Sequence, residues 1–207
     1  MGQSNASGNS PFEYLQSKDP ETYNRLKNGV SNVYCCYFNN NSQRNDAFET
    51  TKFGFGDAST LFGPEVGLAD ALSTKAKTSY IIKGALGGSS LINQWLKDNC
   101  SKRGDLYNSS VGYIKSKLEI LKNEGKKPQV KGVFWMQGES ESHSNLYKYY
   151  KNAEQKLIRF LREDLNEYTY KYFNFVDAYI SNKTVWAQAN KINEAKEKNT
   201  KEMAHFY

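Results

Sequence analysis

Cysteine and histidine are scarce in this chain, three and two residues among 207. So few thiols and imidazoles exclude a disulfide framework and leave no cluster of metal ligands. Cys35 and Cys36 are neighbours inside an apolar run, the pattern of two small buried residues, and Cys100 stands apart. Long apolar runs are missing too, and nothing approaches the ~20 residues of a membrane span. No Pro/Gly/Ser linker divides the chain, no repeat recurs, and no signal peptide is visible, although a leader could have been removed. Basic clusters are short. Lys126-Lys127 is the longest and has no interleaved aromatics, so the net charge of +6 reads as a solvated lysine surface, not a nucleic-acid footprint.

What is present is aromatic. With 15 Tyr and 11 Phe in a chain 38% hydrophobic, much of the core must be built from rings. The length fits one domain over residues 1–207, large enough to bury most of its apolar surface. Strand-like runs occupy residues 33–38, 79–85, 130–136 and 172–179, and 203–207 starts another. A polar Asn-rich stretch covers 39–45, and 53–57 reads as loop. Helical patterns begin at Gly63-Pro64-Glu65, with Pro in the first turn and an acid at the positive end, and continue through Leu72. Others cover 111–121, 146–165 and 185–198. Alternating strands and helices argue for an α/β fold with a parallel sheet covered on both faces. Ligands of such sheets gather at the carboxyl edge, where strands give way to loops.

Three short polar loops suit that edge. Gly2-Gln3-Ser4-Asn5 reads as a tight turn presenting a hydroxyl, although alone it equally describes a frayed terminus. Leu86-Gly87-Gly88-Ser89-Ser90 follows the second strand, and Gln137-Gly138-Glu139-Ser140 follows the third. A serine esterase needs a hydroxyl, a base to take its proton, and donors where the oxyanion develops. Bare glycine N–H groups and the Gln137 amide are suited to the last task. Ordinary turn chemistry explains each loop singly, but not the three together.

These motifs, with Gly63-Pro64-Glu65-Val66-Gly67 and Trp135-Met136-Gln137-Gly138-Glu139-Ser140 in the same order, resemble the sialate O-acetylesterase / acetylxylan esterase branch of the SGNH hydrolases, carbohydrate esterase family six and its relatives. The resemblance spans nearly the whole chain. It implies a flavodoxin-like three-layer α/β/α sandwich with a central parallel sheet, and a hydrolase that removes acetyl groups from sugars without metal or cofactor. Ser4 matches the nucleophile. The N–H of Ser4, a glycine of Gly87-Gly88, and Gln137 match the oxyanion hole. Gln3, Asn5, Ser89 and Glu139 match substrate-binding or loop-bracing positions, with a surface acid as the plainer reading of Glu139.

The resemblance also implies an Asp-x-x-His near the C-terminus. His143 reads as an exposed loop residue. His205 follows Glu202 at the right spacing, yet 203–207 reads as the strand that precedes the family's Asp-x-x-His loop. Two assignments therefore stand. Either the acid and base lie past residue 207, with the strand before Gly2 missing as well, or Glu202 and His205 serve. A carbohydrate-binding or scaffold protein that keeps the fold without catalysis is the alternative function. Trp95 reads either as a sugar-stacking ring or as core. The acetylated sugar, the oligomeric state and the compartment leave no mark on the sequence.

Overall fold

A computed structural model describes residues 1–38, 44–75, 77–97 and 105–207; Cys100 lies outside the described residues. Contacts divide the chain into two compact units, Met1–Gly87 and Gly88–Tyr207.

The first unit runs α1 (Ser4–Ser7), β1 (Ser10–Pro11), α2 (Phe12–Lys18), α3 (Pro20–Leu26), β2 (Val30–Phe38), β3 (Arg44–Thr51), β4 (Leu61–Phe62), α4 (Pro64–Ser73) and β5 (Ser79–Gly84). β2 is the middle strand, parallel to β5 from Val33↔Ser79 to Phe38↔Gly84 and antiparallel to β3. Neighbouring strand residues point to opposite faces, and both Cys35 and Cys36 are fully buried, so β2 is covered on both sides. Against it pack Leu26, Val66 and Ala69 from the helices.

β3 corrects the sequence expectation of an all-parallel sheet. Its residues, Arg-Asn-Asp-Ala-Phe-Glu-Thr-Thr, are mostly polar, and an edge strand needs no apolar stripe. The short connection 39–43 suits a hairpin and is too short for a parallel crossover. The helices α2 and α3 had no sequence signal either. α2 buries none of its residues, so it shows no apolar periodicity. Asp19 caps α3 by accepting from the Thr22 N–H, with Pro20 in the first turn.

The second unit holds a π-helical turn (Leu91–Trp95), α5 (Asp105–Asn123), β6 (Gly132–Trp135), α6 (Glu139–Ser142), α7 (Tyr150–Asp164), β7 (Asn174–Asp177) and α8 (Ala189–Glu202). β6 and β7 are parallel, Val133↔Phe175 among their pairs, and Phe206 forms a parallel bridge to Phe175. Its core is ring-rich, as composition demanded: Trp95, Trp135, Tyr107, Tyr150, Phe173 and Phe175 are all fully or almost fully buried. The Trp95 and Trp135 rings meet edge-to-face at 5.2 Å. Trp95 is thus core, not a sugar platform. Helices begin later than their apolar patterns: 145–149 is a 3-10 turn before α7, and α8 starts at Ala189. Among the described residues no helix is long and apolar enough to cross a membrane.

Candidate active site

In the first unit, Gly2 bridges Ala85 in parallel register and its carbonyl accepts from the Leu86 N–H at 3.1 Å. The chain then turns at once into α1, which puts Ser4 at the carboxyl end of β5. Ser4 is half-buried, Asn5 exposed and Gln3 buried. The turn is closed by its own backbone: Ser7 N–H donates to Gln3 O at 2.8 Å and Gly8 N–H to Ser4 O at 2.9 Å. Asn9 donates from one nitrogen to Ser4 O and to Asp57 Oδ2, both at 3.0 Å. Gly8, at φ 100°, packs its backbone on Gly63; a Cβ there would meet the Gly63 nitrogen at 2.6 Å, so only glycine fits.

A buried lysine holds this turn from below. Lys83 Nζ donates to Ser7 O and Phe55 O, each at 2.6 Å, and to Glu65 Oε2 at 2.8 Å. The other Glu65 oxygen accepts from the Gly63 N–H at 2.9 Å, capping α4. One cation thus fixes α1, the loop at Phe55 and the start of α4 together.

In the second unit, Gly88, Ser89 and Ser90 are brought together with the loop after β6. Ser140 Oγ donates to Gly88 O at 3.1 Å. The Gln137 amide nitrogen donates to Ser89 O at 3.1 Å and to Glu141 Oε2 at 2.5 Å, so both its hydrogens are engaged inside the unit. Glu141 Oε1 accepts from Ser90 Oγ at 2.6 Å and from the Ile92 N–H at 3.2 Å. Ser89 is buried, its hydroxyl accepting from the Trp95 indole at 2.7 Å. Glu139 is buried as well, so it is not the surface acid that its loop position allowed. At Gly138, φ 139°, a Cβ would strike Ile192 Cγ2 at 2.6 Å; the loop lies flat against α8.

The main-chain carbonyl of Gln137 accepts from Tyr150 Oη at 3.0 Å and from Lys196 Nζ at 2.7 Å. Lys196 also donates to Ala178 O at 2.6 Å and to Asp177 Oδ1 at 2.8 Å. Close by, Glu154 accepts from the Asn199 amide at 2.8 Å. Among the described residues no donor reaches Glu154 Oε1 or Asp177 Oδ2. Two buried carboxyls thus face a single cation. Burial, followed by the Glu154 charge, pushes the Asp177 carboxyl well above its ordinary value, with Lys196 opposing. Burial likewise raises the Tyr150 phenol.

Glu202 spends its oxygens on Lys151 at 2.6 Å and on Gln155 at 3.0 Å. The Lys151 bond comes first among the causes that lower its pKa. His205 is exposed, has φ 57°, and turns its ring toward Tyr172 at 6.3 Å. His143 lies edge-on to Trp186 at 4.8 Å. Among the described residues no three His, Cys, Asp or Glu side chains are grouped to hold a metal ion.

Four site-supporting residues had escaped the motif reading. Lys83 is a charge within an apolar strand, and Lys196 shares a helix face with Ile192 and Asn199. Both are patterns that call for buried partners. Asp177 ends a strand, and Glu141 stands four residues after Gln137.

A family model described as carbohydrate esterase, sialic acid-specific acetylesterase, matches residues 1–206. No match was found among curated proteins. Among solved structures, an Arabidopsis thaliana protein is similar over 99% of this chain and 80% of its own, at TM-score 0.70 and 18% identity. NanS is similar over 99% and 74%, at 0.66 and 17%. A carbohydrate acetylesterase from Xanthomonas citri is similar over 99% of this chain but 47% of its own, at 0.65 and 16%. At such identities the likeness is one of fold.

Proposed function

Because the chain belongs to the sialic acid-specific acetylesterase family of carbohydrate esterases, we propose that it is a serine esterase removing O-acetyl groups from sugars of the sialic acid or xylan type. The observation that carries this reading is the Ser4 turn: a half-buried hydroxyl at the carboxyl end of β5, braced by Lys83 and followed along the strand by Gly87 and Gly88. The reading joins the strands into one central parallel sheet of a three-layer sandwich over a single domain, and the fold likeness to solved structures supports it.

Ser4 Oγ attacks the acetyl carbonyl as an imidazole takes its proton. The Ser4 N–H and the N–H of Gly87 or Gly88 hold the oxyanion, at a worth of about 3 kcal/mol for each donor. The sugar hydroxyl leaves, and water then releases acetate from the acyl-enzyme, with no metal or cofactor in the steps. Glu202–His205 is the weaker acid–base candidate, because both Glu202 oxygens are engaged by α7. That same engagement favours the second reading, a carbohydrate-binding protein without turnover.

One experiment separates the two. Acetate release from O-acetylated sialic acid, acetylated xylan and p-nitrophenyl acetate is measured in the full-length protein and in Ser4→Ala. The esterase reading expects a loss of at least about 10³-fold with an unchanged melting temperature. Equal rates would end it.

A further inference from the structure

We infer that Glu141 is a positioning residue that sets the Gly88–Ser90 backbone by fixing the direction of the Gln137 amide. The inference rests on the esterase reading and adds to it a residue that touches no substrate.

Glu141 is fully buried, and among the described residues no cation pairs with it. A bare buried carboxylate is costly unless donors surround it. Three do: Ser90 Oγ, the Ile92 N–H and Gln137 Nε2. A brace alone could be neutral. A carboxylate differs because it only accepts, and so it dictates polarity to each partner. Gln137 must present its NH2, not its oxygen. The second N–H of that group then falls on Ser89 O.

The consequence reaches the glycine loop. Ser140 holds Gly88 O and Gln137 holds Ser89 O, so two successive carbonyls are drawn toward the segment 137–141. In a trans peptide the N–H points opposite to the carbonyl of the same plane. Fixing these carbonyls therefore fixes the facing of the N–H groups that follow them. It also makes Gln137, expected from sequence to donate to the oxyanion, a strut: to donate elsewhere it would have to release Ser89 or Glu141.

Glu141→Gln tests this with almost no change in volume. Its new NH2 faces the Gln137 NH2, the Gln137 amide must reverse, and its oxygen then repels Ser89 O. The expected result in the full-length protein is a fall in kcat of about 10²-fold, the scale of a 1 Å misplacement, with KM nearly unchanged. In a Gln137→Ala background the same substitution should add little, since it acts through that amide. An unchanged kcat, or an equal fall in both backgrounds, overturns the inference. Should Glu141→Gln fail to fold, Ser90→Ala removes one of the three donors and should lower kcat in the same sense; no change overturns the inference. Independently of turnover, the Gln137 side-chain protons should exchange slowly with solvent in the wild type and quickly in Glu141→Gln; fast exchange in the wild type also overturns it. A Ser4→Ala variant that still turns over defeats the esterase reading. An inactive Ser4→Ala beside a fully active Glu141→Gln defeats only the role of Glu141.

Discussion

Each unit buries one lysine beneath a site loop, and the two are used alike up to a single residue. Lys83 ties the carbonyls of Ser7 and Phe55 to the Glu65 carboxylate; Lys196 ties those of Gln137 and Ala178 to Asp177. Both pairs are at most 5% exposed. The difference is Glu154. In the first unit one cation meets one carboxylate, and charge is balanced. In the second, the same device carries a spare carboxyl, and two oxygens without donors, Glu154 Oε1 and Asp177 Oδ2, are left beside each other's groups. A shared proton satisfies both. The first lysine is a plain clamp. The second is a clamp that holds a proton.

The hardest way to break the parallel is Lys83→Met. It strands a buried carboxylate and two carbonyls, and should cost about 3–5 kcal/mol in urea unfolding. Adding Glu65→Leu should recover much of that loss, because an apolar pair of similar volume replaces the ions. Lys196→Met should cost a similar amount near pH 8 but clearly less near pH 5, since Asp177 already leans to its neutral form. Equal losses at both pH values would erase the distinction between the units.

The finest probe is Glu154→Gln. The folded Asp177 holds its proton to higher pH than the ordinary 3.8, so this group's stabilisation is complete below that value and lost as pH rises through the folded one. Wild-type stability should thus decline with pH in that window, by up to about 1.4 kcal/mol per unit for one proton. Glu154→Gln keeps an oxygen for Asn199 and offers N–H to Asp177, and should flatten the slope. An unaltered slope places the proton elsewhere.

The sequence showed elements where burial writes a period and hid them where it does not. β5 and the ringed core were legible from runs such as Ser-Tyr-Ile-Ile-Lys-Gly. β3 and α2 were not, because neither carries an apolar stripe. For the site, the glycine- and serine-bearing loops could be read because turn chemistry restricts residue type. Their supports could not be read as motifs. Lys83, Glu141 and Lys196 are ordinary charged residues whose roles arise from partners 51, 76 or 59 positions away in sequence. A solitary charge within a buried pattern is the one local sign that such partners exist.

The adjacent thiols of β2 have a practical use. Cys35 and Cys36 face opposite layers, neither is accessible, and burial ahead of the Glu65 charge keeps the Cys35 thiol protonated. An alkylating reagent reaches one of them only when the layer over that face lifts. Timed labelling, read by mass on the peptide that contains both, therefore records which side of the strand is uncovered first. All three tryptophans lie beyond residue 87, so fluorescence follows the other half of the chain during the same experiment.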